Sequence, residues 1–354
     1  MKKLVFLLIV LLIPIKINAI ETSATSAILM DTDNNRILYS KNIHEVRSVA
    51  SISKIMTAVL AIESGKLDET VTINDSINKA YGSAIYIKVG EKLTLRDLVY
   101  GLMLRSGNDA ALAIADYVGK DSFIEMMNNK ASEIGMKNTT FNNPHGLDEE
   151  KGNYSTAYDM AILTSYAMKL DEYRKIVSTK KYTLKTNKNT YVWKNKNKLL
   201  SLYKYATGGK TGFTKIAKRT LVTTASKDNI NLVVVTLNDG NDFKDHQDLF
   251  EYAFNNYKSY SILEKGIINI YDEKYYSGYS FYIKNNYSYL VSNDERGSIT
   301  IKFELKKLRD YKTGDKVGVA RVFLGDKEIK TESVYIKKKS SNKSFWNKIK
   351  DWFS

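Results

Sequence analysis

Ala50-Ser51-Ile52-Ser53-Lys54-Ile55-Met56-Thr57 is the stretch whose reading decides the fold. Ile52, Ile55, Met56, Val59 and Leu60 recur at i, i+3, i+4, i+7 and i+8, the spacing that lines one helix face, and Gly65 supplies a stop. A buried helix starting near Ser51 is predicted. Ser51 and Lys54 then sit on neighbouring turns of one face. The pattern alone is weak, because Ser-x-x-Lys also begins at Ser76, Ser178, Ser201 and Ser340. A serine at a helix start also has a plain structural use, capping the exposed amides.

Working outward, the alternating apolar residues from Ser26 to Tyr39 are broken by Asp31-Thr32-Asp33-Asn34-Asn35, which reads as two strands and a turn. Further helical patterns cover about Leu95 to Val118, Phe123 to Ile134 and Thr156 to Met168. Strand patterns return from Tyr182 to Trp193, Thr220 to Ser226 and Asn231 to Leu237, before a helix around Gln247 to Asn255. Strands, then helices, then strands describe a mixed α/β domain with a helical insertion. After about Tyr260 come short alternating runs such as Ile299, Ile301, Phe303 and Leu305, with turns at Asn293 to Gly297 and Gly325-Asp326. A small all-β domain is expected there.

The chain has 354 residues, enough for two domains. Hydrophobic residues at 43% and charged residues at 26% argue against long disorder or a multi-span membrane protein. The absence of cysteine removes disulfides, a thiol nucleophile and thiolate zinc sites. The three histidines, His44, His145 and His246, leave little for a metal site. About half of the net charge of +15 is terminal, carried by Lys2, Lys3 and Lys16 and by the stretch from Lys337 to Ser354. A basic balance suits nucleic acid, anionic lipid or an acidic polymer, but a lysine-rich compositional bias explains the central region equally well. Met1-Lys2-Lys3, an apolar run from Leu4 to Ile15 and Ile17-Asn18-Ala19 have the layout of a secretory signal, with cleavage expected after Ala19. The run falls short of the roughly 20 residues that span a bilayer. Domains are therefore expected at residues 1–19 (signal), 20–258, 259–336 (β-domain) and 337–354 (a basic amphipathic tail).

Two more short patterns carry chemistry. Ser106-Gly107-Asn108 fits Ser-x-Asn, as do the stretches from Ser40, Ser76 and Ser340. Lys210-Thr211-Gly212 follows two glycines and leads to an apolar strand, whereas its rival Lys312-Thr313-Gly314 lies between Asp310 and Asp315 and suits a tight turn. The ordered set of Ser51-x-x-Lys54, Ser106-x-Asn108 and Lys210-Thr211-Gly212 within one domain is the signature shared by penicillin-binding proteins and class A β-lactamases. From about Ala24 to its C-terminus the chain resembles the low-molecular-mass penicillin-binding proteins, the serine-type D-alanyl-D-alanine carboxypeptidases. Asn143-Pro144-His145-Gly146-Leu147, Tyr154-Ser155-Thr156-Ala157-Tyr158-Asp159 and Asn195-Lys196-Asn197-Lys198-Leu199-Leu200 also look like family segments. Val49 departs from the proline common before the Ala-Ser pair, and Asn153 from the histidine common before Tyr-Ser-Thr.

The resemblance implies a transpeptidase-like fold, an antiparallel sheet with helices on both faces and a helical insertion, followed by the small β-domain. It implies removal of the terminal D-alanine from cell-wall pentapeptides through a Ser51 acyl-enzyme, with β-lactams as covalent inhibitors. Serine needs a neighbouring base, and Lys54 is that base if burial and a second cation, Lys210, hold it neutral. Ser106 and Asn108 would relay a proton and hold the substrate, while Lys210 and Thr211 would meet the peptide's terminal carboxylate. Gly212 would let substrate backbone lie flat, and the amides of Ser51 and Phe213 would form the oxyanion hole. A Ser-His-Asp triad is the competing arrangement, but no Gly-x-Ser-x-Gly elbow is present. His145, beside Pro144 and Gly146, reads as a turn residue. No Gly-rich phosphate loop or zinc spacing appears, so no cofactor, metal or nucleic acid is expected.

Two rivals remain. A class A β-lactamase would carry Glu-x-x-Leu-Asn between Asn108 and Lys210, which the sequence lacks. A non-catalytic wall-binding protein would use the basic surface and the 25 tyrosines, but the complete motif set counts against it. In the tail, Phe345, Trp346, Ile349, Trp352 and Phe353 fall on one helical arc beside Lys337, Lys338, Lys339 and Lys343. This suits an anionic membrane surface, with packing onto the β-domain as the alternative. The protein is accordingly expected outside the cytoplasm, held peripherally at the membrane.

Overall fold

The computed structural model describes residues 20–148, 151–270 and 274–339. The expected signal over residues 1–19 and the aromatic part of the expected tail lie outside the described residues. Strands β1 (Ser26–Asp31) and β2 (Ile37–Lys41) form the expected hairpin. The Asp31 carboxylate closes its turn by accepting from the amides of Asp33 at 3.1 Å and Asn34 at 3.2 Å. Strands β3 (Ala206–Thr214), β4 (Lys218–Lys227) and β5 (Ile230–Leu237) complete an antiparallel sheet in the order β2-β1-β5-β4-β3, which leaves β3 on an edge.

Successive residues of the central strands serve opposite faces. Ile28, Met30, Val233 and Val235 join the core beneath the helical insertion, whereas Leu29, Leu232 and Val234 join a second core. The insertion contains α1 (Lys54–Glu63), α2 (Leu95–Tyr100), α3 (Asn108–Val118), α4 (Phe123–Glu133), α5 (Ala157–Ala167) and α6 (Asp171–Ser178). On the opposite face α7 (Asp242–Asn256) inserts Leu249, Phe250 and Ala253 into the second core. Both faces are therefore covered, as expected.

One expectation changes in a way that matters for the site. The helical pattern from Leu95 to Val118 is broken, because Gly101–Arg105 winds as one wider turn and Ser106 takes a left-handed backbone at φ 66°. Position 101 favours glycine, since a Cβ there would lie 2.6 Å from Ile85 Cδ1. Gly107 is extended, and α3 restarts at Asn108. The short helix α6 was not foreseen. Only Tyr173, Ile176 and Val177 of its eight residues are buried, too few to make a clear period.

Beyond α7 the described residues form strands and their connections, with one 3₁₀ turn at Arg296–Ser298. Gly266–Ile268, Tyr279–Ile283, Lys327–Lys338, Lys316–Leu324 and Ile299–Leu305 are neighbours in that order in one antiparallel sheet, and Tyr257–Leu263 pairs with Tyr287–Ser292. Phe281, Val317, Val322, Val334 and Ile336 give this region its own core. Arg36 fastens it to the sheet domain, with its guanidinium 2.6 Å from Glu295 and 4.9 Å from the centre of the Tyr289 ring.

Candidate active site

Ser51 lies in a 3₁₀ turn, Ala50–Ser53, that runs directly into α1. Ala50 is held at φ 51°, a left-handed backbone that is uncommon for a residue with a Cβ. Ser53 Oγ donates to Ala50 O at 2.9 Å and steadies this turn. Ser51 caps nothing. Its hydroxyl faces Lys54 Nζ at 3.0 Å instead.

Lys54 is fully buried, and its amine also contacts Asn108 Oδ1 at 2.7 Å and the carbonyl of His145. Burial, then the charges of Lys210 and Lys196, push its pKa well below the ordinary lysine value. A neutral amine has two hydrogens to donate. With Asn108 Oδ1 and His145 O accepting them, the lone pair is left for the Ser51 hydroxyl. Asn108 cannot rotate away, because its Nδ2 donates to Tyr81 O at 2.5 Å and its backbone amide to Ser83 O at 2.7 Å.

The break before α3 brings Ser106 into the same cleft. Lys210, on β3 and only 1% exposed, donates to Ser106 Oγ at 2.9 Å and to Thr211 O at 2.6 Å. Its pKa falls to about 7, through burial and then the charge of Lys196. Gly212 faces the nucleophile turn. A Cβ there would lie 2.4 Å from Thr220 Oγ1 and 3.0 Å from the Ser51 amide. Phe213 stands exposed at the rim. All eight residues singled out from the sequence, Ser51, Lys54, Ser106, Asn108, Lys210, Thr211, Gly212 and Phe213, thus gather around one cleft.

The rival copies go elsewhere. Lys312 is exposed and its amide donates to Asp315 Oδ2 at 2.8 Å, while Gly314 has φ 99°, so that tripeptide is a turn. His145 contributes its carbonyl to Lys54, and burial lowers its ring pKa to about 3. His246 lies between Thr223 Oγ1 at 2.5 Å and Thr236 Oγ1 at 3.0 Å, inside the sheet domain.

Two cations at the cleft escaped the motif reading. Lys196 donates to Ser83 Oγ at 3.3 Å, and its pKa is lowered by burial and by Arg105. Arg219 lies opposite Phe213 in the β3–β4 register and binds Asp242 through two contacts, at 2.5 and 3.1 Å. Both line a cleft of 400 Å³ together with Ser51, Ser106, Thr211 and Gly212. Lys196 lies in the family-like segment Asn195 to Leu200 but in none of the three short patterns, and Arg219 lies in neither, so the fold is what shows their place at the cleft. The two departures noted in the sequence also meet in space. Val49 donates its amide to Asn153 O at 3.2 Å, a bond that proline at position 49 could not make.

Residues 14–241 match the D-alanyl-D-alanine carboxypeptidase family model, and residues 257–341 match that of the penicillin-binding protein 5 C-terminal domain. The chain belongs to the D-alanyl-D-alanine carboxypeptidase family. Within this family it is 34% identical over 253 residues to the carboxypeptidase DacF of Bacillus subtilis, covering 68% of this chain and 65% of that protein. It is 28% identical over 359 residues to DacA of Haemophilus influenzae, covering 94% and 89%. The crystal structure of penicillin-binding protein 5 from H. influenzae superposes with a TM-score of 0.76 at 27% identity, covering 90% of this chain and 97% of that one. The mixed α/β peptidase fold followed by a small β-domain is thus the family's architecture.

Proposed function

We propose that this carboxypeptidase family member is a penicillin-binding serine hydrolase that removes the terminal D-alanine from peptidoglycan pentapeptides through a Ser51 acyl-enzyme. The observation that carries the reading is Lys54 Nζ, buried and depressed in pKa, 3.0 Å from Ser51 Oγ. Neutral Lys54 takes the hydroxyl proton as Ser51 Oγ attacks the carbonyl of the penultimate D-alanine. The developing oxyanion meets the amides of Ser51 and Phe213. Ser106, held by Lys210, relays the proton from Lys54 to the departing nitrogen, so that Lys54 is neutral again, the C–N bond breaks, and D-alanine leaves. Water then attacks the ester, gives a proton to Lys54, and restores the Ser51 hydroxyl.

Geometry refines the carboxylate subsite. Lys210 donates to Ser106 and to Thr211 O, so its charge acts from behind the cleft wall. Arg219, half-exposed, lines the cleft beside the exposed Lys196 and Lys198, and of the three its planar fork best suits a carboxylate. The terminal carboxylate therefore lies between Thr211 and Arg219. β-Lactams acylate the same serine. Mass spectrometry of a defined pentapeptide after incubation tests the reading: loss of one D-alanine supports it, and an intact pentapeptide refutes it.

The enzyme works outside the cytoplasm, exported by its N-terminal segment, with its tail on the anionic membrane face. Among the described residues no helix is long and apolar enough to cross a membrane. A chain ending at Ser340 is expected to hydrolyse soluble peptide but to stay in the supernatant when anionic vesicles are pelleted. Equal sedimentation of truncated and full chains would contradict the anchor.

A further inference from the structure

A second cavity, of 690 Å³, is larger than the catalytic cleft and lies where α5 and α6 meet the Ala206-Thr207 end of β3. Its floor combines apolar surface from Met168, Ala206 and Leu232 with hydroxyls from Thr207, Thr224 and Ser226. Among these hydroxyls, Thr207 bonds to Thr224 at 2.7 Å and Ser226 to Asn231 Oδ1 at 2.8 Å. Ser165, 2% exposed, also lines the cavity, and its Oγ is buried with no hydrogen-bond partner. A buried polar atom left unpaired costs free energy unless something else satisfies it.

The rim is cationic. Lys169 and Lys175 line it without an ion pair or hydrogen bond from their amines among the described residues, whereas Arg174 is committed to Asp171 and Met168 O. Asp33 is the carboxylate on the wall, and it accepts from Asn231 Nδ2 at 3.1 Å. Free positive charge thus stands over a floor that is part hydroxyl and part hydrocarbon. α6 supplies much of the rim and is locked against β3, because a Cβ on Gly208 would lie 2.4 Å from Val177 Cγ2.

We propose that this cavity is a second binding site, separate from the catalytic cleft, for an anionic polyhydroxylated chain. The ligand carries a phosphate or carboxylate for Lys169 and Lys175, hydroxyls for the half-buried Thr207 and Ser226, and C–H faces for Met168 and Ala206. Two wall components share that chemistry, a polyol-phosphate polymer and a carboxylate-bearing amino sugar. Their relevance rests on the wall-directed function above, but the cavity's chemistry does not depend on Ser51.

Titration calorimetry on the purified protein separates the possibilities, with a glycerol-phosphate oligomer and N-acetylmuramic acid as probes. Binding of either is expected, and it identifies the source. The Lys169→Ala/Lys175→Ala pair is expected to weaken it by about tenfold or more, the loss of one or two charge-assisted contacts. Lys316→Ala/Lys327→Ala, which removes two exposed lysines of the β-domain, should leave binding within about twofold. Ser51→Ala should bind as the parent does, so a failure of the catalytic reading would not be mistaken for failure here. Unchanged thermal unfolding in the Lys169/Lys175 variant would show that the loss is local. Absence of binding by both probes, or equal losses from the two lysine pairs, would overturn the proposal.

Discussion

Lys210-Thr211-Gly212 and Lys312-Thr313-Gly314 are the same tripeptide in two regions of one chain, with different fates. The first lies in an edge strand against the nucleophile turn, with its lysine buried, bonded to Ser106 and lowered in pKa to about 7. The second forms an exposed turn closed by Asp315. The same contrast separates Ser51, which faces buried Lys54, from Ser76, which lies inside a 3₁₀ helix, Asp75–Lys79, ending at exposed Lys79. Such a pattern becomes chemistry when the fold desolvates its cation and places a hydroxyl beside it.

The contrast breaks most readily at the serines. Ser51→Ala is expected to lower kcat for D-alanine release by on the order of 10⁴-fold or more, the usual cost of removing a nucleophile that acts as part of a unit. Ser76→Ala should leave turnover unchanged and stability unharmed, since the Ser76 hydroxyl is buried without a partner. Equal losses in steady-state assays would end the distinction.

Next come the lysines. Lys210→Ala is expected to reduce kcat/KM by about 10- to 150-fold through loss of charge-assisted contacts, while Lys312→Ala stays within about twofold. At the glycines, Gly212→Ala should cost roughly tenfold in acylation rate, because the new methyl meets Thr220 Oγ1 and crowds the Ser51 amide. Gly314→Ala meets open space but must hold φ 99°, so its expected effect is about 1 kcal/mol on folding and none on acylation.

The smallest effect sharpens the electrostatic side. Folded Lys210 loses its proton near pH 7, whereas an unfolded lysine keeps it to about pH 10.4. Between those limits the unfolded state binds more protons, so this group makes stability rise with pH, by up to about 1.4 kcal/mol per unit. Lys54 acts in the same direction. Urea midpoints at pH 7, 8 and 9 are therefore expected to rise less steeply in Lys210→Met than in the parent, and Lys312→Met should keep the parent slope. Parallel slopes in all three proteins would contradict the burial of Lys210's charge.

Much of this was legible in the residues. The hairpin, α1 and the central strands announce themselves because their apolar residues repeat at the period of the element that buries them. The cleft was legible through three short patterns whose members the fold brings together. Ser106's left-handed backbone was not, since apolar spacing continues across the wide turn at residues 101–105 while the hydrogen bonding does not. α6 was obscured by its charges, and β3 by glycines that weaken any strand pattern. Arg219 and Lys196 are distant in sequence from the nucleophile, and only the closed cleft shows what they face.

The central claim is that Ser51, activated by Lys54, is the atom that becomes acylated. Peptide mapping after brief exposure to a fluorescent penicillin tests it most directly. The adduct is expected on the peptide containing Ser51, lost in Ser51→Ala and retained in Ser53→Ala. A covalent adduct on any other residue, or labelling that persists in Ser51→Ala, would contradict the account.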